Sequence, residues 1–396
     1  LALAAMNIFL GDNAVADPTP SFEIDSGDVL AQVKGHVGML TLNRAKALNA
    51  LSLPMVRDIT RALLAWQSDD NVTLVAMRGM GKTQAFGAFC AGGDIRFFHQ
   101  AALAGDPGLE DFFTEEYQLN HLIHHYAKPC WVFMDGVVMG GGMGLAQGAS
   151  LRIATEHTKM AMPETLIGLF PDVGGGYFLS RCSGFLGEYL GLTGQVLNGA
   201  QAVYAGLADV LCPSEELPSL WEQLPQIAAD DLPTAMSVVC QPYQAATLSA
   251  KQTTPAWWNE SLNKVFGLEQ LSDTLAALSQ RHDDASLAAL QALNKRSPLM
   301  LAVTWSQIRR ARHMGLADEL RMERNMVRHC FHPLHLGQRP AGSETVEGIR
   351  ALAIDKDHAP RWSANSVNDI SHDMVGPFFD SPWPAHAHPL KALSEG

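Results

Sequence analysis

The sequence predicts an α/β protein whose last third is mostly helical. Three observations carry this. Short apolar runs closed by turn residues alternate with a segment of helical period. Glycine clusters follow directly on such runs. Beyond about residue 213 the β-branched runs thin out, and Leu, Ala, Gln and charged residues dominate from Ser286 to Cys330.

Taken in order, Leu1 to Leu10 is apolar but short, with no basic residue ahead of it, so a processed remnant or a disordered arm is expected rather than a complete signal peptide. Val37 to Leu42 is a strand, and Asn43, Arg44 and Ala45 make the turn after it. Ser52 and Pro54 open an amphipathic helix, because Leu53, Val56, Ile59, Leu63 and Trp66 recur every three or four positions. Val72 to Met77 and Cys130 to Met134 are buried-type strands, closed by Arg78-Gly79 and Asp135-Gly136. Strand, loop and helix therefore repeat, as α/β folds require. Pro213 to Leu224, acidic and turn-rich, is expected to link two parts. The division is an arm (1–30), a core carrying the chemistry (31–212), a mainly helical region (213–378) and a loosely ordered tail (379–396).

With 396 residues, 47% hydrophobic and 17% charged, the chain can bury a large core. A net charge of -13 without a long basic run gives no general attraction for nucleic acid or an anionic membrane, so phosphate on a ligand must be held locally. No run is long enough to cross a bilayer. Six cysteines without CxxC spacing argue against a disulfide framework and against thiolate zinc, and fit a reducing compartment.

Two glycine stretches, Phe89-Cys90-Ala91-Gly92-Gly93-Asp94 and Met139-Gly140-Gly141-Gly142-Met143-Gly144, each follow an apolar strand. Glycine there lets a backbone N–H approach a ligand, and a helix beginning at Gly141 would present its unpaired amides. Two such donors on one oxygen form an oxyanion hole; the same glycines would equally serve tight turns. Gly79 to Thr83 fails as a phosphate-binding loop because Ala76 stands where the first glycine is required, and Gln147 breaks a dinucleotide fingerprint after Gly142 and Gly144. Glu164 and Asp172 lie in segments otherwise almost free of charge. Desolvation there raises a carboxyl toward the acid/base range; the plain alternative is that Asp172 caps a helix near Gly174 and Glu164 opens one after Pro163. His121, His124 and His125, and later His329, His332 and His335, cluster without the acidic partner of a metal helix, so no metal is expected. A G-x-S-x-G elbow is absent.

From about Val33 to Leu211, Thr41-Leu42-Asn43-Arg44 with Ala47-Leu48-Asn49-Ala50, Phe89 to Asp94, and Asp135-Gly136 with the glycines through Gly144 resemble the crotonase or enoyl-CoA hydratase/isomerase superfamily. Ala161 to Gly176, reading AMPETLIGLFPDVGGG, and Glu347 to Trp362 resemble the 3-hydroxyisobutyryl-CoA hydrolase branch in particular. The resemblance implies a crotonase-type spiral of β-β-α turns and an oxyanion hole from Gly93 and Gly141. It implies coenzyme A, arriving as part of an acyl-CoA substrate and not as a cofactor, held near Ala91, Gly92, Asp94 and Ile95. Glu164 and Asp172 fall on the branch's catalytic positions and Glu116 on a substrate-binding one. Hydrolysis of a short 3-hydroxyacyl-CoA in valine catabolism is the implied activity, with a homo-oligomer as the family habit. The cytoplasm is the expected compartment, or the mitochondrial matrix in a eukaryote. Two departures stand out. Gly144 occupies the position where hydratases carry a glutamate, and Phe331 to Glu344 is longer than the family pattern. The rival readings are an enoyl-CoA hydratase or isomerase and a non-catalytic acyl-CoA-binding protein.

Overall fold

The computed structural model describes residues 22–227 and 232–395. The apolar stretch Leu1 to Leu10 therefore lies outside the described residues, whereas the end of the expected arm enters the sheet. Nine strands form among the described residues: β1 (Ile24–Asp25), β2 (Val29–Lys34), β3 (Val37–Leu42), β4 (Leu74–Gly79), β5 (Cys130–Met134), β6 (Val137–Met139), β7 (Leu151–Ala154), β8 (Lys159–Ala161) and β9 (Val210–Leu211). Seven make one sheet in the order β1-β2-β3-β4-β5-β7-β9, and β6 pairs with β8 in a second. β1, β2 and β3 are antiparallel; from β3 to β9 every pairing is parallel.

Parallel strands covered on both faces read as continuous apolar runs, and the burial pattern gives the reason here. Leu40 and Leu42 of β3, Val75 and Met77 of β4, and Val132 and Met134 of β5 face the larger core. Val37, Met39, Leu74, Ala76, Trp131 and Phe133 face a second core on the opposite side. Helix α1 (Leu53–Gln67) closes the first face: Ser52 caps it, Pro54 sits in its first turn, and Val56, Ile59, Leu63 and Trp66 are buried. The second face is closed by the helix Leu217–Ile227, which buries Leu217, Leu220, Trp221 and Leu224. This corrects the expected link at Pro213 to Leu224. Its apolar residues recur at helical spacing under a turn-rich, acidic composition, and burial against the sheet decided the outcome.

The spiral consists of successive turns. β5, β6 and then helix α4 (Gly141–Gln147) make one; β7, β8 and then the short helix Glu164–Ile167 make the next. The turn before them runs from β4 through Cys90, which bridges Val138, into α2 (Ile95–Ala104). Helix α3 (Gly108–His124) packs beside α1 and α4. Among the described residues the chain beyond 213 is mainly helical, and the helices Pro298–Ala311 and Leu316–Phe331 lie against the short helix α5 (Gly175–Leu179). The tail is not loose. Leu390 is fully buried, Arg321 bonds the carbonyls of Leu390 and Leu393, and Glu395 accepts the Ala317 amide at 3.0 Å, capping the 316–331 helix. Among the described residues no helix is long and apolar enough to cross a membrane.

Candidate active site

The spiral places three chemical groups at matching points of three stacked turns. Cys90 bridges Val138, and Val138 pairs with Met160. A few residues beyond each lie Gly93, Gly141 and Glu164. The parallel bridge between Leu51 and Gly93 uses the carbonyl of Gly92 and the amide of Asp94, both bonded to Leu51. In such a bridge the N–H of Gly93 points to the other side, where Gly141 lies: a Cβ on Gly141 would stand 3.5 Å from the Gly93 nitrogen. Gly141 is the first residue of α4, so its N–H has no intrahelical acceptor. Among the described residues neither amide has an acceptor. Gly92 at φ +96° and Gly140 at φ +49° make the two turns possible, and a Cβ on Gly140 would stand 2.9 Å from Glu164 Oε1.

Around these amides is a cavity of about 320 Å³ lined mostly by apolar side chains, among them Ile95, Phe98, Phe113, Leu169 and Leu352. Glu116, Glu164 and Asp172 also line it, and each is at most 5% exposed. Glu116 comes from the buried face of α3, one helical turn beyond Phe112 and Phe113. A Cβ on Gly141 would collide with its Oε1, and among the described residues neither this oxygen nor Glu164 Oε2 has a hydrogen-bond partner. Asp172 Oδ2 accepts the Tyr117 hydroxyl at 2.9 Å. Burial, then the charges of Asp172 and Glu164, push Glu116 well above the usual carboxyl range. Burial, then Asp172, does the same to Glu164. Burial raises Asp172 to about 7, against the Tyr117 hydrogen bond, which lowers it. Three carboxyls facing one largely apolar pocket resist ionising together.

Ala91, Gly92 and Ile95 also line the cavity, whereas the Asp94 carboxylate is used in the fold. It accepts the Phe97 amide at 3.4 Å as the cap of α2 and pairs with Arg44 at 2.8 Å, so its side chain is not among the lining groups. Glu164 does open a short helix after Pro163, as the plain alternative expected, and it faces the cavity as well. Asp172 does not cap α5 with its side chain; its backbone carbonyl accepts Gly175 N–H at 2.8 Å and Gly174 holds the cap position. Val173 beside it has φ +58°, a conformation costing a β-branched residue about 1–3 kcal/mol. At Gly144 a Cβ would stand 2.6 Å from Val173 Cβ and 2.8 Å from Asn120 Nδ2, so no glutamate fits there. Of the clustered histidines, His121 bonds the Ser394 carbonyl and His329 that of Asp380. Sequence reasoning assigned no role to Tyr117, Phe113 or Leu352. Phe113 and Glu116 do share one helix face, a readable signal, but nothing in the sequence pointed to Tyr117 or Leu352.

The sequence pattern of the family Enoyl-CoA hydratase/isomerase matches residues 37–379. The chain is 37% identical to 3-hydroxyisobutyryl-CoA hydrolase, mitochondrial, from Gallus gallus over 88% of each chain. It is 39% identical to the protein of that name from Xenopus tropicalis over 90% of each. With 3-hydroxyisobutyryl-CoA hydrolase 1 from Arabidopsis thaliana it shares 38% identity over 89% of this chain and 91% of the relative. Among solved structures it is similar to an enoyl-CoA hydratase from Rhodobacter sphaeroides, at TM-score 0.76 and 32% identity over 90% of this chain and 98% of that one. A carnitinyl-CoA dehydratase from Mycobacterium thermoresistibile superposes at TM-score 0.77 and 33% identity over 93% and 99%. The chain therefore belongs to the enoyl-CoA hydratase/isomerase family and groups there with the 3-hydroxyisobutyryl-CoA hydrolases.

Proposed function

We propose that this chain hydrolyses a short 3-hydroxyacyl-CoA thioester, 3-hydroxyisobutyryl-CoA first, to the hydroxy acid and coenzyme A, a step of valine breakdown. The observation that carries the reading is the set of three buried carboxyls facing two unpartnered backbone amides across one cavity. The thioester carbonyl would rest on the Gly93 and Gly141 amides, which stabilise the oxyanion as the tetrahedral carbon forms. Glu164, ionised, either attacks that carbon, giving a mixed anhydride that water then opens, or takes a proton from the attacking water. In both routes the C–S bond breaks and the leaving sulfur gains a proton, which Asp172 would supply. Glu116, with an unsatisfied oxygen, would accept the substrate hydroxyl. The cavity suits a short branched acyl group. The bulk of coenzyme A would then lie outside, past Ala91, Gly92 and Ile95.

The hydratase reading asks for a second glutamate to hold water, and Gly144 has no room for one. Six free cysteines suit a reducing compartment, the cytoplasm or, in a eukaryote, the mitochondrial matrix. The test is thiol release from 3-hydroxyisobutyryl-, 3-hydroxypropionyl- and acetyl-CoA, alongside loss of crotonyl-CoA absorbance. Fast release confined to the hydroxyacyl thioesters supports the reading, and crotonyl-CoA hydration without thiol release overturns it. Full thioesterase turnover by Glu164→Gln would remove Glu164 from both routes.

A further inference from the structure

We propose that Glu323, with Gln307 and Glu319 beside it, is a positioning residue for Asp172, gripping the Pro171–Gly176 turn from the C-terminal helices. Asp172 lies in a turn of which three backbone groups are held from one side. Ahead of it, the Pro171 carbonyl accepts Gln307 Nε2 at 2.7 Å. After it, Gly174 N–H reaches Glu323 Oε2 at 2.8 Å and Gly176 N–H reaches Glu323 Oε1 at 3.2 Å. Gln307 Nε2 also donates to Glu323 Oε1 at 3.0 Å, which ties the two anchors together. Gln307 and Glu323 are fully buried, on the 298–311 and 316–331 helices. Between the anchors stand Asp172 and Val173 with its left-handed backbone, a conformation that persists only where its surroundings hold it. Tyr117 fixes the Asp172 carboxyl from the other side.

A glutamate at a helix N-terminus is ordinary by itself, and one carboxylate would suffice to cap α5. Here a second stands one helical turn earlier. Glu319 is fully buried, and among the described residues neither of its oxygens has a hydrogen-bond partner in the ionised form. Among the described residues neither glutamate is in an ion pair. The charged and titratable groups facing them are Asp172 and Tyr117 across the turn and Arg181 beyond α5. Two carboxyls so placed share a proton, because the second charge is unsupported. The sequence between 298 and 331 thus supplies a support for a residue of the cavity wall, while none of its own side chains is among those lining the cavity.

The inference rests on the thioesterase reading for its kinetic arm only. Glu323→Gln keeps the shape, replaces one of the two amide acceptors with a donor, and leaves the cavity wall unchanged. Expected is a fall in kcat of about 100-fold with KM changed by less than about threefold, since a misplacement of about 1 Å can cost that much. The alkaline limb of its pH–rate profile is expected to shift, since that limb follows Asp172. Glu188→Gln, which breaks a buried pair with Arg312 away from the cavity, is the control for stability alone. Should Glu323→Gln not fold, Gln307→Leu removes the donor to Pro171 and is expected to lose about tenfold in kcat by the same reasoning. Hydrogen exchange of the 171–176 segment, faster in either variant than in wild type and in Glu188→Gln, reads the grip without any substrate. A wild-type chain that cleaves no thioester sinks the functional reading and leaves the exchange arm standing. Glu323→Gln that matches Glu188→Gln, with lowered Tm but unchanged kcat, pH profile and exchange, overturns the positioning role.

Discussion

Asp172 and Glu164 share one field, and its sign can be tested. On the acid side kcat/KM is expected to rise with pH as Glu164 loses its proton, and burial followed by the Asp172 charge delays that loss. Asp172→Asn removes the charge, so the acid limb of the residual activity should move to lower pH; a limb that stays in place contradicts the coupling. Tyr117→Phe works in the opposite direction, because the hydroxyl lowers the Asp172 pKa from its place at 2.9 Å. Its loss should raise the pKa of the Asp172-dependent limb and cost about tenfold in kcat, within the range set by removing one oriented hydrogen bond to a charged group. Gly141→Ala tests the amide cradle itself. The added methyl collides with Glu116 Oε1, so thiol release should fall about 100-fold, while circular dichroism stays that of the wild type.

At the scale of elements, the helix 217–227 supports the sheet without touching the cavity. Trp221 is buried against Phe86 and Phe133, with the Arg78 guanidinium 4.4 Å from its ring. Trp221→Ala should cost about 3–5 kcal/mol in chemical denaturation and leave kcat per folded molecule near wild type. Loss of kcat in the remaining folded protein would mean that this helix also shapes the site. Strands β3, β4 and β5 and helix α1 were legible because their apolar residues are local runs or spacings that match the faces they bury. The helix at 217–227 was not, since its turn-rich, acidic residues outvoted the buried positions until the sheet face beneath them was known. The tail failed for a related reason: prolines and short polar clusters suggest looseness, yet the 316–331 helix offers Arg321 and an open N-terminus that hold it.

Over the whole molecule, Glu116, Glu164, Asp172, Glu319 and Glu323 are all raised by burial, Asp172 and Glu319 to about 7. The folded chain therefore keeps protons that the unfolded chain has released, so this contribution to stability is complete below the unfolded carboxyl values and is lost as pH climbs through the folded ones. Histidines such as His121, His124 and His329 are lowered by partial desolvation, which acts in the opposite direction, but only up to their unfolded range. Between about pH 7 and about pH 8.5 the carboxyls act without the histidines and are joined toward the upper end by thiols that burial raises, Cys90, Cys130 and Cys182 among them, so Tm is expected to drop by several degrees. A Tm that rises across that window would contradict the raised carboxyls.

The sequence by itself determined the α/β class, three central strands of the main sheet, helix α1 and, through a resemblance, which glycines and carboxyls to watch. These are properties of local spacing and of short motifs, which survive translation into one dimension. Only the tertiary structure decided that Gly93, Gly141 and Glu164 stand on consecutive turns of one spiral, and that Tyr117 holds Asp172. It also showed that Asp94 caps a helix, and that Gln307 and Glu323, far along the chain, grip the Asp172 turn. Burial, hydrogen-bond partners and the field between carboxyls are set by distances across the fold, and no spacing along the chain encodes them.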